Sequence, residues 1–410
     1  MLYPPHIMGG AEKSVALLSE ALVAQGHDVA ASCITPNGWT EEVRNGVKVY
    51  RMPHETDFWP EEWPEHSVLA RGVRRFKQQF NVALEQHFLR VIDDFKPDIV
   101  HTHSLLDVST RVWEAAKSRN LPVVHTLRDF DLACGNAAMF KDGHRCEKRH
   151  LKCKLFTFMK RVHHRGVDAV VGVGAGILQS HIDMGYFAHV PPHLRRVIWN
   201  PAVVDGVGPD YVKPSLAGRP LTFGYLGRIN IEKGVGTLLE ACRQLPASGW
   251  KLLIAGKEAS EHDSLKHMAA GLPVEFVGFI PPRELFDAID TLVVPSIWAE
   301  PLPRTILESY AMGVPVIGAD SGGIPDLIGA GNRDWLFPPG DANALAAAMT
   351  RVIGQGREAL PQRASFDHIV NETQPAKVAK RYLDLYDEVR RATHERRASR
   401  VHIPIAAVTE

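Results

Sequence analysis

Two carboxylates, Glu300 and Glu308, stand eight positions apart in Ser296-Ile-Trp-Ala-Glu300-Pro-Leu-Pro-Arg-Thr-Ile-Leu-Glu308. The apolar run Thr291-Leu-Val-Val-Pro295 before them reads as a buried parallel strand. Pro301 and Pro303 mark a turn, and a helix is predicted over 304–312. One acid therefore lies in the loop at the carboxyl end of a strand, and the other about one turn into the next helix. In an open α/β sheet that crevice is where ligands bind. Two acceptors held at fixed separation there suit the hydroxyls of a sugar or ribose. The plainer alternative is a helix N-terminal charge and a solvated Glu.

A second cluster weighs on that choice. In Phe223-Gly-Tyr-Leu-Gly227-Arg228-Ile-Asn-Ile-Glu-Lys233-Gly234, another strand runs through a Gly turn into a helix. Arg228 and Lys233 bring a planar guanidinium and a point ammonium to the same crevice, a pairing that suits a diphosphate. Together with Gly10-Ala-Glu12, 98–103, Asn200-Pro201, Gly322-Gly323-Ile-Pro-Asp326 and Phe337-Pro-Pro-Gly340-Asp341, these elements make the chain resemble the GT-B glycosyltransferases of the large retaining family 4. The resemblance runs nearly the whole length.

It implies two Rossmann-like, doubly wound α/β domains facing across a cleft. Arg228 and Lys233 would neutralise the departing nucleoside diphosphate without a metal ion or other cofactor. Glu300 would orient the donor sugar with help from the Pro301 and Leu302 backbone, and Glu308 would hold the ribose. The amides around Gly10 would approach the pyrophosphate from the opposite domain. His103 would face the donor sugar, with a strand-end His capping local backbone as the alternative. Transfer with retention, to a hydroxyl of a glycan or glycolipid in cell-surface polysaccharide synthesis, is the activity implied. A non-catalytic nucleotide-sugar binder and a sugar-nucleotide epimerase or hydrolase are the rivals.

On the acceptor side the residues speak less clearly. His101 and His103 follow a strand, and alternation is expected to send them to opposite faces, leaving His101 a structural role. Where the family has His, this chain has Arg128, followed by Asp129-Phe-Asp131. Asp129 is a candidate for an acceptor hydroxyl, and its context is not that of a Mg²⁺ or Mn²⁺ site. Trp59 and Trp63 lie in a long loop, to stack on an acceptor sugar or to anchor the loop. Cys134, Cys146, Cys153 and His150 could form a zinc site, but their spacing lacks a Cys-x2-Cys knuckle, which favours small buried thiols. Residues 144–165 carry eight Lys/Arg against the single Glu147, interleaved with Leu155, Phe156, Phe158 and Met159. That pattern suits a lipid diphosphate or an anionic membrane surface, or else a solvated helix face.

The elements that must position these residues alternate strand and helix, which implies parallel sheets covered on both faces. A chain of 410 residues suits two domains. They are expected at 1–200 (acceptor side) and 201–375 (donor side), with a cross-over helix and tail over 376–410, the helix spanning 376–391 and the tail from Ala392 loose. Lys+Arg and Asp+Glu both total 47, so no global field favours nucleic acid. Five cysteines without a leader pattern fit a reducing compartment, and no apolar run approaches the ~20 residues that span a bilayer. The expected location is the cytoplasm, with room for peripheral contact at the inner membrane face. Residues 1–10 read as the loop that follows a first strand in the family. A first domain lacking its central strand, by truncation, or filling the slot with another segment, is the expectation.

Overall fold

The computed structural model describes residues 2–7, 9–208, 211–257 and 262–401. The first domain begins with β1 (Ala30–Thr35), β2 (Thr40–Arg44) and β3 (Val47–Pro53). It continues with β4 (Val100–His103), β5 (Val123–Leu127), a small hairpin of β6 (Phe140–Lys141) and β7 (His144–Arg145), β8 (Ala169–Gly172) and β9 (Arg195–Val197). β5 and β8 are buried at every position, as parallel strands covered on both faces must be. β2 was not anticipated. It pairs antiparallel on the edge, where its charged, exposed residues cost nothing and discourage further pairing.

The first-domain sheet is split. One part has the order β1-β3-β2 and the other β4-β5-β8-β9, with β1 paired to β3 and β4 to β5. Between the parts lies a cavity of about 800 Å³, lined by Ala30, Ala31 and Cys33 on one side and Val100 and Thr102 on the other. Leu18 and Leu22 of the helix Gly10–Ala24 also face it. Among the described residues no strand pairs with the edges of β1 and β4 that border it.

The second domain has no such gap. Its strands are β10 (Leu221–Leu226), β11 (Trp250–Ala255), β12 (Val274–Gly278), β13 (Thr291–Val294), β14 (Val316–Ala319) and β15 (Leu336–Phe337). They form one parallel sheet in the order β12-β11-β10-β13-β14-β15. The chain reverses direction of growth between β10 and β13, and ligands of open α/β sheets bind outside the carboxyl ends of the strands at that switch point. Between β9 and β10 the described residues form neither helix nor strand.

The helix Pro375–Val401 returns to the first domain, where it packs against the helix Gly10–Ala24. Tyr386 reaches His101 at 2.6 Å, and Arg196 pairs with Glu388 at 2.9 Å. The helix runs past Ala392, so the tail expected to be loose from that point is helical as far as Val401. The remainder of that tail, from His402, lies outside the described residues.

Candidate active site

The donor-side candidates meet at the switch point. After β10 the chain turns through Gly227, Arg228 and Lys233 into the helix Val235–Cys242. After β13 it turns through Ser296–Pro303 into the helix Arg304–Ala311. The two loops are tied by the N–H groups of Ile297 and Trp298, which donate to the Glu232 carbonyl at 3.0 and 3.3 Å. Lys233 Nζ lies 2.8 Å from Glu300 Oε1 and 5.2 Å from the centroid of the Trp298 ring. Ser296 Oγ donates to the same carboxylate. Glu300 is buried, so each of these partners offsets desolvation of its charge. Arg228, in the loop after β10, is exposed.

Behind Glu300 the loop after β14 must come very close. A Cβ on Gly322 would stand 2.1 Å from the Glu300 carbonyl oxygen, at a φ of +59°. Gly323 N–H donates to that oxygen at 2.6 Å. Glycine at 322 is therefore required by space and by backbone conformation. Pro301 and Leu302 are buried beside it, with the Pro301 carbonyl against Gly174 of the first domain.

Sequence reasoning did not assign Arg304 a role. Its Nε and Nη2 reach Glu308 Oε1 at 2.9 and 2.8 Å, the i,i+4 pairing of a helix face. Its Nη1 donates to Ser14 Oγ at 3.3 Å, across the cleft. Ser14 in turn donates to the Gly10 carbonyl at 2.9 Å. A Cβ on Gly10 would fall 2.9 Å from Arg304 Cδ. The start of the helix Gly10–Ala24 thus lies directly against the guanidinium that holds Glu308. A second cross-domain contact runs from Ala175 N–H to Asp326 Oδ2 at 2.7 Å.

His103 stands at the end of β4. The expectation that His101 and His103 diverge is wrong. Residues two apart share a strand face, and the two rings lie 3.9 Å centroid to centroid. They still do different work. His101 is bonded on both nitrogens, to Tyr386 and to Thr126 Oγ1 at 2.7 Å. His103 Nδ1 accepts from Arg128 Nε at 3.2 Å, which leaves the proton on Nε2. Burial first, then the neighbouring His101 and Arg128, hold the His103 imidazole well below its usual range and neutral. Arg128 also donates to Asn200, so the residue that departs from the family pattern locks His103 to the domain junction.

Asp129 is half-buried beyond Arg128, accepts from Ser104, and accepts Asp131 N–H at 2.8 Å. Burial and then the Asp131 charge push its carboxyl well above the usual range. For Asp131 burial acts upward too, but Lys160 at 3.0 Å outweighs it and holds that carboxyl low. Trp59 is buried in the first-domain core, against His54. Trp63 is half-buried under Arg75, whose guanidinium lies 4.3 Å from its ring centroid. Both anchor their loop. Cys134 and Cys153 come within 3.9 Å of each other. His150 is exposed, Cys146 is half-buried, and among the described residues no group of three His, Cys, Asp or Glu is placed to hold a metal ion.

Comparison with known proteins identifies the family. Residues 9–201 match the glycosyl transferase 4-like domain, and residues 220–355 match the glycosyl transferases group 1 family. A protein in the cps region of Klebsiella pneumoniae is 29% identical over 80% of this chain and 85% of its own length. A putative colanic acid biosynthesis glycosyltransferase of Salmonella typhimurium is 34% identical over 32% of this chain and 36% of its own. The crystal structure of Anabaena HepE in complex with UDP and glucose superposes with a TM-score of 0.61 at 17% identity, covering 92% of this chain and 96% of that one. The chain belongs to the GT-B glycosyltransferases, with a 4-like first domain and a group 1 second domain.

Proposed function

We propose that this glycosyltransferase moves a sugar from a nucleoside diphosphate sugar to a hydroxyl of a glycan or lipid-linked acceptor, in polysaccharide synthesis and with retention of anomeric configuration. One juxtaposition carries the reading. Lys233, Glu300 and the Arg304-bound Glu308 lie at the switch point of the second domain, and the helix beginning at Gly10 faces them across the cleft.

In this reading Lys233 and Arg228 take up the negative charge that develops on the departing diphosphate. Amides at the start of the helix Gly10–Ala24 add to that stabilisation from the other domain. Glu308 accepts from ribose hydroxyls and Glu300 from hydroxyls of the transferred sugar. His103, neutral with its proton on Nε2, donates to the sugar on the first-domain side. No residue is assigned as a covalent nucleophile, in keeping with the front-face substitution that the family resemblance implies. The cations replace a divalent metal, so none is required. The colanic acid relative supports a polysaccharide product, and HepE supports a uridine donor as the first to be tried. No helix among the described residues is long and apolar enough to cross a membrane, so a lipid-linked acceptor would be met by peripheral contact at the inner face.

The test is a panel of nucleotide sugars, screened by thermal shift and then for nucleotide release with and without acceptor extracts. Acceptor-dependent release with a glycosylated product supports the reading. Turnover of donor alone would indicate a hydrolase or epimerase, and binding with no turnover in any mixture a non-catalytic nucleotide-sugar protein.

A further inference from the structure

The helix Val68–Gln78 is turned the wrong way for a globular core. Its polar side faces inward: Arg74, only 1% exposed, donates to the Phe58 carbonyl at 3.0 Å and pairs with Asp107 at 3.1 Å. Gln78 donates to the Leu106 carbonyl at 2.8 Å. Its apolar side faces out. Leu69 (78% exposed), Val73 and Phe76 lie exposed on it, at spacings of four and three that trace one helical stripe, and Phe80 is exposed in the turn just beyond the helix.

The neighbouring helices repeat the pattern. On Leu151–Phe156 the exposed pair is Leu151 (82%) and Leu155, and on Phe158–His163 it is Phe158 and Val162, each pair four residues apart. The two regions adjoin. Gln79 donates to the Leu155 carbonyl at 3.1 Å and accepts from Met159 N–H at 3.0 Å, and Phe156 sits beside Gly72. Loose termini do not explain the exposure, because these buried polar bonds fix the helices.

Charge says what covers the stripes. Arg74 and Lys160 are buried on Asp107 and Asp131, and Lys77 pairs with Asp57, but Arg145, Lys148, Lys152, Lys154 and Arg165 are exposed against the single Glu147 of residues 144–165, in a chain whose formal net charge is +0. Lys152, Lys154 and Arg165 are exposed among the apolar side chains. A second copy of the same surface would bring like charges together, which opposes a symmetric pairing. A helix that is strongly amphipathic yet polar on average, with exposed leucine and phenylalanine and a basic surround, is the type that lies in a bilayer interface.

We propose that these three helices of the first domain form a docking surface for an anionic lipid bilayer. Leu69, Phe76, Leu151 and Phe158 enter the headgroup–acyl boundary while Lys152 and Lys154 meet anionic headgroups. The surface gives the peripheral contact of the proposed function a definite site, and rests on that reading only for its purpose.

The experiment is flotation of the full chain with phosphatidylglycerol-containing vesicles and with pure phosphatidylcholine vesicles. Wild-type protein should partition at least ~tenfold better onto the anionic vesicles and should be released by high salt, as electrostatic interfacial binding requires. Leu69→Glu/Phe76→Glu and, separately, Lys152→Glu/Lys154→Glu should each lower that binding by ~tenfold or more. Both should keep wild-type melting and wild-type thermal shifts with nucleotide sugar. Equal flotation of wild type and both variants, or no preference for anionic lipid, overturns the docking surface. So does a wild-type dimer in solution that Leu69→Glu/Phe76→Glu makes monomeric, since the stripe would then be a self-interface. Absence of nucleotide-sugar turnover with intact flotation would count against the transferase reading and leave the surface standing.

Discussion

Lys233 and Arg228 carry opposite structural signatures, one half-buried on Glu300 and the other open to solvent, yet the proposed chemistry asks the same of both. Lys233→Ala or Arg228→Ala should lower kcat by ~100-fold or more, because each charge acts on the leaving group; melting should hardly change for the exposed Arg228 but should fall for Lys233, whose loss leaves the buried Glu300 without its cation. Single-turnover assays at saturating donor decide it, and near wild-type rates in both variants would remove the clamp. Arg304 differs in kind. It is a positioning residue that orients Glu308 and touches Ser14 over the cleft. Arg304→Leu should raise the donor KM by roughly tenfold and kcat less, since a freed Glu308 loses orientation rather than charge. A proportional fall in kcat with unchanged KM would show instead that the guanidinium itself meets the transition state. The Arg304–Glu308 pair was legible from its i,i+4 spacing. Ser14 was not, because 290 residues separate it from its partner.

At the scale of elements, the split sheet makes the sharpest prediction. A parallel strand of about six apolar, β-branched residues fused ahead of Leu2 should enter the cavity between β1 and β4. There it would pair two rows of backbone groups and bury side chains at ~1.5–3 kcal/mol each. The melting temperature should rise by several degrees. An unchanged value, with donor thermal shifts the same in both proteins, would show that the cavity does not accept a strand. The strands themselves were readable from apolar, β-branched runs, since continuous burial leaves little room for other residues in a parallel sheet. The edge strand β2 was missed because its charged, exposed residues carry no such pattern. The helix Val68–Gln78 shows why periodicity alone misleads: amphipathicity predicts a buried apolar face, and this helix buries the other one.

Across the whole molecule, pH and metal dependence test how the charges are arranged. Burial lowers His125 to about 3, and His164 and His181 to about 4, from an ordinary 6.5. These imidazoles refuse a proton that the unfolded chain accepts. Their contribution is therefore complete above about pH 6.5 and is lost as pH falls toward about 4, at about 1.4 kcal/mol per pH unit for each group. The raised carboxyls of Asp129 and Asp326 act in the opposite sense, but they are outnumbered. Denaturant unfolding at pH 7.5, 6 and 5 should show stability falling at each step, and equal midpoints would contradict the burial of these rings. Activity, in contrast, should survive EDTA, because fixed cations serve the leaving group. An enzyme inactivated by EDTA and restored by Mn²⁺ would overturn that.

Local chemistry determined what could be read in advance. The strand–turn–helix units around Arg228, Lys233, Glu300 and Glu308 are contiguous segments, and an apolar strand followed by turn residues places its loop at a sheet's carboxyl end wherever it folds. Tertiary structure decided what depends on distant segments meeting. It brought Ser14 to Arg304, pressed Gly322 under Glu300, and bound Arg128 to both His103 and Asn200. It also turned Trp59 into a core anchor and left Leu69 and Phe76 facing outward. The physical reason is that side-chain type limits which contacts are favourable, whereas the partner available to a buried polar or apolar group is set by how the sheets, helices and domains pack around it.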